Sequence, residues 1–252
     1  MGVKKAIEDT IDYAAKFGSW VNKGEFGGRL ISRKLIEGKE IDDFLAKIGH
    51  KNKKNKWYEG KIEKAKKLAE KMNFDFENVL FLGVSGSVAS GHPKEDDDID
   101  ILVITKINKL WQTRLKLRWW IFRQQIPHRK YGELERKDEF CFNLWLDESG
   151  LLLPKNRQNL KNSVDLVLLK PLMNKNQTYE KFLLKNNWAG KWVPTPYVNK
   201  AKDLRFGPKS LEIKQNIFDE ILNYLCFWPQ YWYMKGKIKK ETVGLHQAFF
   251  HR

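Results

Sequence analysis

The sequence predicts an α+β fold, a small mixed sheet with helices, flanked at both ends by helical modules. Two apolar runs, beginning at Val79 and at Ile99, bracket a turn of small residues and a polar loop, and read as strands. A third stretch, Lys137 to Asp147, alternates in polarity as a strand does. Before and after these three, apolar residues recur at helical spacing.

Composition narrows the classes. At 252 residues and 42% hydrophobic, the chain can bury a real core, and disorder is not the expectation. A net charge of +16, with pI near 9.6, points to a polyanionic partner such as RNA, DNA or an acidic surface. Cys141 and Cys226 sit in apolar contexts without Cys-x-x-Cys spacing, so they are expected as buried free thiols, with no zinc site or disulfide framework. No stretch approaches a membrane-spanning length, and Met-Gly-Val-Lys-Lys at the amino terminus is not a secretion signal. The expected location is cytoplasmic. None of the five histidines has a nucleophile and an orienting carboxylate at a recognisable spacing, which leaves hydrolase triads without support.

The elements follow in order. Residues 1–73 are predicted to form a helical module. Ala6, Ile7, Ile11, Ala14, Ala15 and Phe17 lie at helical spacing up to Gly18, and Leu30, Ile31, Leu35 and Ile36 continue it before Gly38. Ile41, Phe44, Leu45 and Ile48 make another piece, stopped by Gly49. Lys51 to Lys56 has no apolar face and reads as an exposed loop, either solvated or touching phosphates. From Trp57 to Met72 a longer helix turns Ile62, Ala65, Leu68 and Ala69 inward, with Lys61, Lys64, Lys66, Lys67 and Lys71 outward.

Residues 74–173 are the predicted core. After the two strands, Leu110 to Gln125 reads as the helix packed on the sheet, with Trp111, Leu115, Trp119 and Phe122 in the core and Arg114 and Arg118 as candidate phosphate contacts. Val164 to Leu169, closed by Pro171, is either helix or strand. Residues 174–252 are predicted as a C-terminal helical module: a helix from Tyr179 to Trp188, a loop from Gly190 to Gly207, and helical recurrence from Leu211 to Met234 with Pro229 kinking or splitting it. The aromatics Phe227, Trp228, Tyr231, Trp232 and Tyr233 are expected in the core, or else as a wall on which a base stacks.

The chemistry concentrates between Val79 and Ile104. Side chains alternate along a strand, so Asp98 and Asp100 project together while Ile99, Ile101 and Val103 face a core. Two fixed carboxylates repel unless a cation sits between them, and oxygen ligands of this kind suit Mg²⁺ or Mn²⁺. Upstream, Gly83, Gly86 and Ser87 let the backbone come close, and N–H groups at the start of a short helix near Val88 are placed to cradle a phosphate. A phosphate cradle facing a metal-holding pair describes a nucleoside triphosphate site. The alternative reading, a solvated acidic loop beside turn-forming glycines, leaves unexplained why Asp100 interrupts an apolar strand.

Gly86-Ser87, ten residues, then Asp98-Ile99-Asp100 inside apolar runs resembles the signature of the DNA polymerase β-like nucleotidyltransferase superfamily. Ala89 and Gly91 are most similar to its minimal and aminoglycoside-type branches. The resemblance implies Mg²⁺ or Mn²⁺-dependent transfer of a nucleoside monophosphate from an NTP, with ATP the expected nucleotide and pyrophosphate leaving. It implies metal at Asp98 and Asp100, and terminal phosphates at Gly86 and Ser87.

The third strand of that superfamily usually carries another carboxylate. Here the mid-strand polar residue is Asn143, which can ligate through its oxygen but accepts no proton. Either Glu139 or Asp165 takes over, or two aspartates suffice. Cys141-Phe142-Asn143, Lys170-Pro171-Leu172 and Phe249-Phe250-His251 also resemble a group of bacterial proteins with this domain, of undefined substrate and with a winged-helix-like front end. Lys170 thereby joins Arg114 as an expected nucleotide contact. The charge favours RNA, a tRNA or another 3′ end, as acceptor. AMP transfer to a protein or a small molecule, and a binding-only descendant, are the alternatives.

Overall fold

The computed structural model describes residues 2–130, 133–203, 216–236, 238 and 241–250. The first segment folds as α1 (Val3–Lys16), α2 (Phe26–Arg29), α3 (Gly38–Lys47) and α4 (Tyr58–Asp75). Then come β1 (Val79–Val84), α5 (Gly86–Ala89), β2 (Ile99–Thr105), α6 (Leu110–Gln124) and β3 (Phe140–Asp147). The remainder is α7 (Leu160–Leu168), β4 (Lys170–Asn174), α8 (Thr178–Lys185), α9 (Pro194–Asp203), α10 (Ile217–Lys235), β5 (Thr242–Val243) and β6 (Gln247–Phe249).

One six-stranded mixed sheet runs in the order β4-β1-β2-β3-β6-β5. β1 is antiparallel to both β2 and β4, whereas β2 and β3 run parallel, joined by the α6 crossover. All six β1 residues are buried, as a strand covered on both faces requires. Ile62, Leu68, Met72, Trp111, Leu117 and Trp120 cover one face, while Val164, Leu166, Tyr179, Phe182 and Leu183 cover the other. The N-terminal helices close a third cluster around Ile7, Phe26, Leu30 and Ile41. Pro171 falls on the outermost strand, β4, where a missing N–H costs no ladder bond on the open side.

Several expectations are corrected. Leu30 to Ile36 is not helical: Ile31 donates its N–H to the Thr10 hydroxyl at 2.9 Å and Ile36 to that of Thr195 at 2.9 Å, so side chains replace helical partners. No strand occurs among the described residues before β1. On α6, Trp111, Leu117, Trp120 and Ile121 are buried, but Leu115, Trp119 and Phe122 are exposed. That helix carries two apolar stripes, and spacing alone does not say which one meets the sheet. On α10, which runs through Pro229 unbroken, Phe227 is buried whereas Trp232 and Tyr233 are exposed.

Pro194, at the first position of a helix, starts α9 inside the segment expected as a loop. The expected positions Gly207, Leu211 and His251 lie outside the described residues. Within the predicted C-terminal helical module, β6 joins the sheet against β3. His246 anchors that return, its Nδ1 lying 2.8 Å from the fully buried Asp147.

Candidate active site

The β1–α5 turn and the start of β2 meet at one place. Ser85 donates its N–H to the Asp100 carbonyl at 2.9 Å. Gly86 has φ +65°, and the Asp100 carboxylate fills the space where a β-carbon at residue 86 would stand. Backbone conformation and close approach therefore both demand glycine there. The first N–H groups of α5 have no acceptor within their own helix.

Asp98 is buried just ahead of β2, and Asp100 is partly exposed. The loop leading to them is held by Lys61, expected outward but in fact buried. Its ammonium donates to the Asp97 carbonyl at 2.6 Å and the Glu95 carbonyl at 3.1 Å, and pairs with Asp138 at 2.9 Å. In β3 a bulge falls between the Asp100 and Leu102 pairs; Cys141 just before it and Asn143 within it both reach the carboxylates. Asn143 donates from Nδ2 to Asp100 at 2.6 Å, leaving its Oδ1 buried without a hydrogen-bond partner. Cys141 brings a ligand atom within 4.8 Å of those of Asp98 and Asp100. Burial pushes the Cys141 thiol up, Asp100 adds to this, and Arg129 opposes it.

Arg129 is the unexpected member. Its guanidinium lies 2.8 Å from Asp98 and 3.2 Å from Glu135. No sequence motif marks it, because it reaches the pair from the connection after α6.

A cavity of about 360 Å³ opens in front of the pair. Gly86, Ser87, Asp98, Asp100 and Asn143 all line it. Arg29, His92, Lys94, Arg157 and Lys161 add positive or ionisable groups to its walls, and Tyr13, Phe17, Val164, Leu168 and Phe249 form an apolar part. The N-terminal helices brace the turn: Arg29 donates to the Ser90 carbonyl at 3.2 Å, and His92 meets Glu25 at 3.1 Å. Burial pushes the Glu25 carboxyl up, but His92, the Asn22 amide and Arg29 outweigh it and hold the group below its ordinary range.

Two expected nucleotide contacts lie elsewhere. Arg114 is buried against α10, donating to Gln230 at 2.7 Å and stacking over Phe250 at 4.7 Å, with its pKa pulled down to about 9 chiefly by burial. Its helical position placed it among solvent-facing cations, but the helix face it occupies is the covered one. Lys170 donates to the Tyr58 hydroxyl at 2.7 Å and is not among the cavity residues. Of the two substitute carboxylates, Asp165 lines the cavity, whereas Glu139 does not. The bulge breaks the strand phase on which the Glu139 expectation rested.

The two carboxylates are hard oxygen donors of the kind that fits Mg²⁺ or Mn²⁺, and the Cys141 sulfur lies within reach of both. Residues 65–181 match the family model described as a nucleotidyltransferase domain. No curated protein and no solved structure matches the chain significantly.

Proposed function

We propose that this chain, whose residues 65–181 form a nucleotidyltransferase domain of the polymerase β-like kind, transfers a nucleoside monophosphate from an NTP to an acceptor, with ATP the expected donor. The observation that carries the reading is the meeting of the Asp100 carboxylate with the Gly86 turn at the mouth of one cavity. Asp98 and Asp100 would hold Mg²⁺ or Mn²⁺, which when bound supplies charge neutralisation on the triphosphate oxygens. Gly86 and Ser87 grip the terminal phosphates through backbone N–H groups. Asn143 fixes the Asp100 carboxylate through its amide N–H. An amide accepts no proton, so either Asp165, which lines the same cavity, takes that task or the acceptor hydroxyl needs little activation.

RNA is the acceptor the surface favours. The Lys51–Lys56 loop is pinned beside the cavity rim: Asn55 donates to the Pro93 carbonyl at 2.9 Å, and Lys53 donates its N–H to Asn22 at 2.7 Å. Lys53 and Lys56 lie over Trp20 and Trp57, so those rings hold ammonium groups toward solvent. A second reading, a small hydroxylated acceptor, is favoured by the apolar part of the cavity, which suits one compact ligand.

The test incubates the protein with each labelled triphosphate, Mg²⁺, and either total RNA or a small-molecule extract. Label is expected on RNA, and Asp98→Asn or Asp100→Asn is expected to abolish it while unfolding stays cooperative. Full activity in either variant overturns the mechanism, and label on small molecules alone overturns the acceptor.

A further inference from the structure

Two helices turn aromatic rings outward beside cations. On α6, Trp119 and Phe122 are 59% and 80% exposed, and on α10, Trp232 and Tyr233 are 62% and 55% exposed. Arg123 lies over Trp119 at 5.3 Å, Lys235 over Trp232 at 4.5 Å, and Arg118 over Tyr233 at 5.2 Å. The last contact crosses from α6 to α10, so the outward sides of the two helices join there. No acid occurs in α6, and none in α10 after Glu220. Rings and guanidinium groups side by side on such a face suit single-stranded nucleic acid, whose bases stack on the rings while the cations meet its phosphates. A second copy of the chain fits poorly, because an isologous contact sets the same cations against one another.

The joined face leads inward. Arg118 and Tyr233 also line a second cavity, of about 1100 Å³, whose walls include the buried Cys141 and Asn143. Exposed residues mark its mouth and buried ones its floor. Asn143 lines the first cavity as well and donates to Asp100 at 2.6 Å, while Cys141 brings a ligand atom within 4.8 Å of those of both aspartates. The two cavities therefore meet beside the carboxylate pair, one against the Gly86 turn and the other open to the α6–α10 face. Its volume exceeds that of pockets for compact ligands, about 300 to 1,000 Å³. Glu133, Glu135 and Glu241 stand among its walls, so phosphates are better held on the outer face, and the cavity suits a terminal nucleoside with its hydroxyl. A lipid surface could cover the helices but could not enter.

We infer that the α6–α10 face binds single-stranded RNA, and that the second cavity admits its 3′-terminal nucleoside to the carboxylate pair through a separate opening from that used by the triphosphate. The role given to the 3′ hydroxyl rests on the proposed nucleotidyl transfer; the binding does not.

The probe is a short labelled single-stranded RNA, with the same sequence as a duplex for comparison, titrated by fluorescence anisotropy into the full chain without metal or nucleotide. The single strand is expected to bind more tightly than the duplex, whose bases are not free to stack on side chains. Trp119→Ala and Trp232→Ala are each expected to weaken it about fivefold or more, and Arg118→Gln to weaken it as well. Leu184→Ala, at an exposed apolar position on α8, is expected to leave it unchanged. Unchanged affinity in both tryptophan variants overturns the inference, as does an equal loss in Leu184→Ala. A photoreactive thiouridine at the 3′ end is expected to cross-link to Phe142 or Tyr233, on the second cavity, and cross-links to Tyr13 or Phe17, on the first, overturn the placement. Tryptophan variants that lose self-association or binding to anionic vesicles, yet keep RNA affinity, overturn it in favour of a second copy or a lipid surface. RNA held on this face without any nucleotide transfer overturns only the proposed reaction. Label transferred to limiting RNA equally well by the wild type and both tryptophan variants overturns this inference alone.

Discussion

Gly86 shows how narrowly one residue can be determined. Its φ of +65° disfavours any side chain, and the Asp100 carboxylate already occupies the space a methyl group would need. Gly86→Ala is expected to cost about 1 to 3 kcal/mol, from backbone strain together with displacement of Asp100. Denaturant unfolding and Mn²⁺ titration check this, and unchanged values for both would mean that the turn and the carboxylate are not coupled. Arg114 gives the opposite lesson. A cation rich in phosphate-binding chemistry is committed here to Gln230 and Phe250, inside the α6–α10 contact.

At the scale of elements, the sheet owes part of its width to a return of the chain from far downstream, with β6 lying on β3 and β5 on β6. His246 secures the return through Asp147, which also accepts from Ser149 and Gly150 at the end of β3. The hydrogen bond to Asp147 is the main cause that raises the His246 pKa, against a smaller loss from burial. A group raised on folding stabilises fully below its unfolded value, about 6.5 for histidine, and that contribution is lost as pH climbs through the higher folded value. The unfolding midpoint is therefore expected to fall as pH rises above about 6.5, with the slope flattened in His246→Gln. An identical pH profile in that variant would remove the role assigned to this pair.

For the molecule as a whole, charge is the dominant property, +16 over 252 residues. One stretch of it is the Lys51–Lys56 loop, where the Lys53 N–H donates to Asn22 and the Asn55 side chain donates to the Pro93 carbonyl. Single-stranded RNA binding is expected to weaken steeply with salt. Replacing Lys53, Lys54 and Lys56 together by Gln is expected to reduce the log–log slope by about 2, since each phosphate contact contributes about 0.7. An unchanged slope would place RNA on another face, or nowhere. Among the described residues no helix is long and apolar enough to cross a membrane.

What the sequence determined by itself was local. From Val79 to Ile104 the strand, the glycine turn and the aspartate strand are near neighbours along the chain, and the two-residue period of a strand already decides which side chains share a face. Backbone geometry over so short a span leaves few arrangements, so the encounter of Gly86 with Asp100 was legible before any packing was known. Tertiary structure alone decided which stripe of α6 meets the sheet, that Lys61 and Arg114 turn inward, that a bulge brings Asn143 to Asp100, and that Arg129 reaches Asp98. Those contacts join residues some thirty or more positions apart, or choose between faces of equal periodicity. Burial of the whole core selects among them, and no spacing within one segment records that choice.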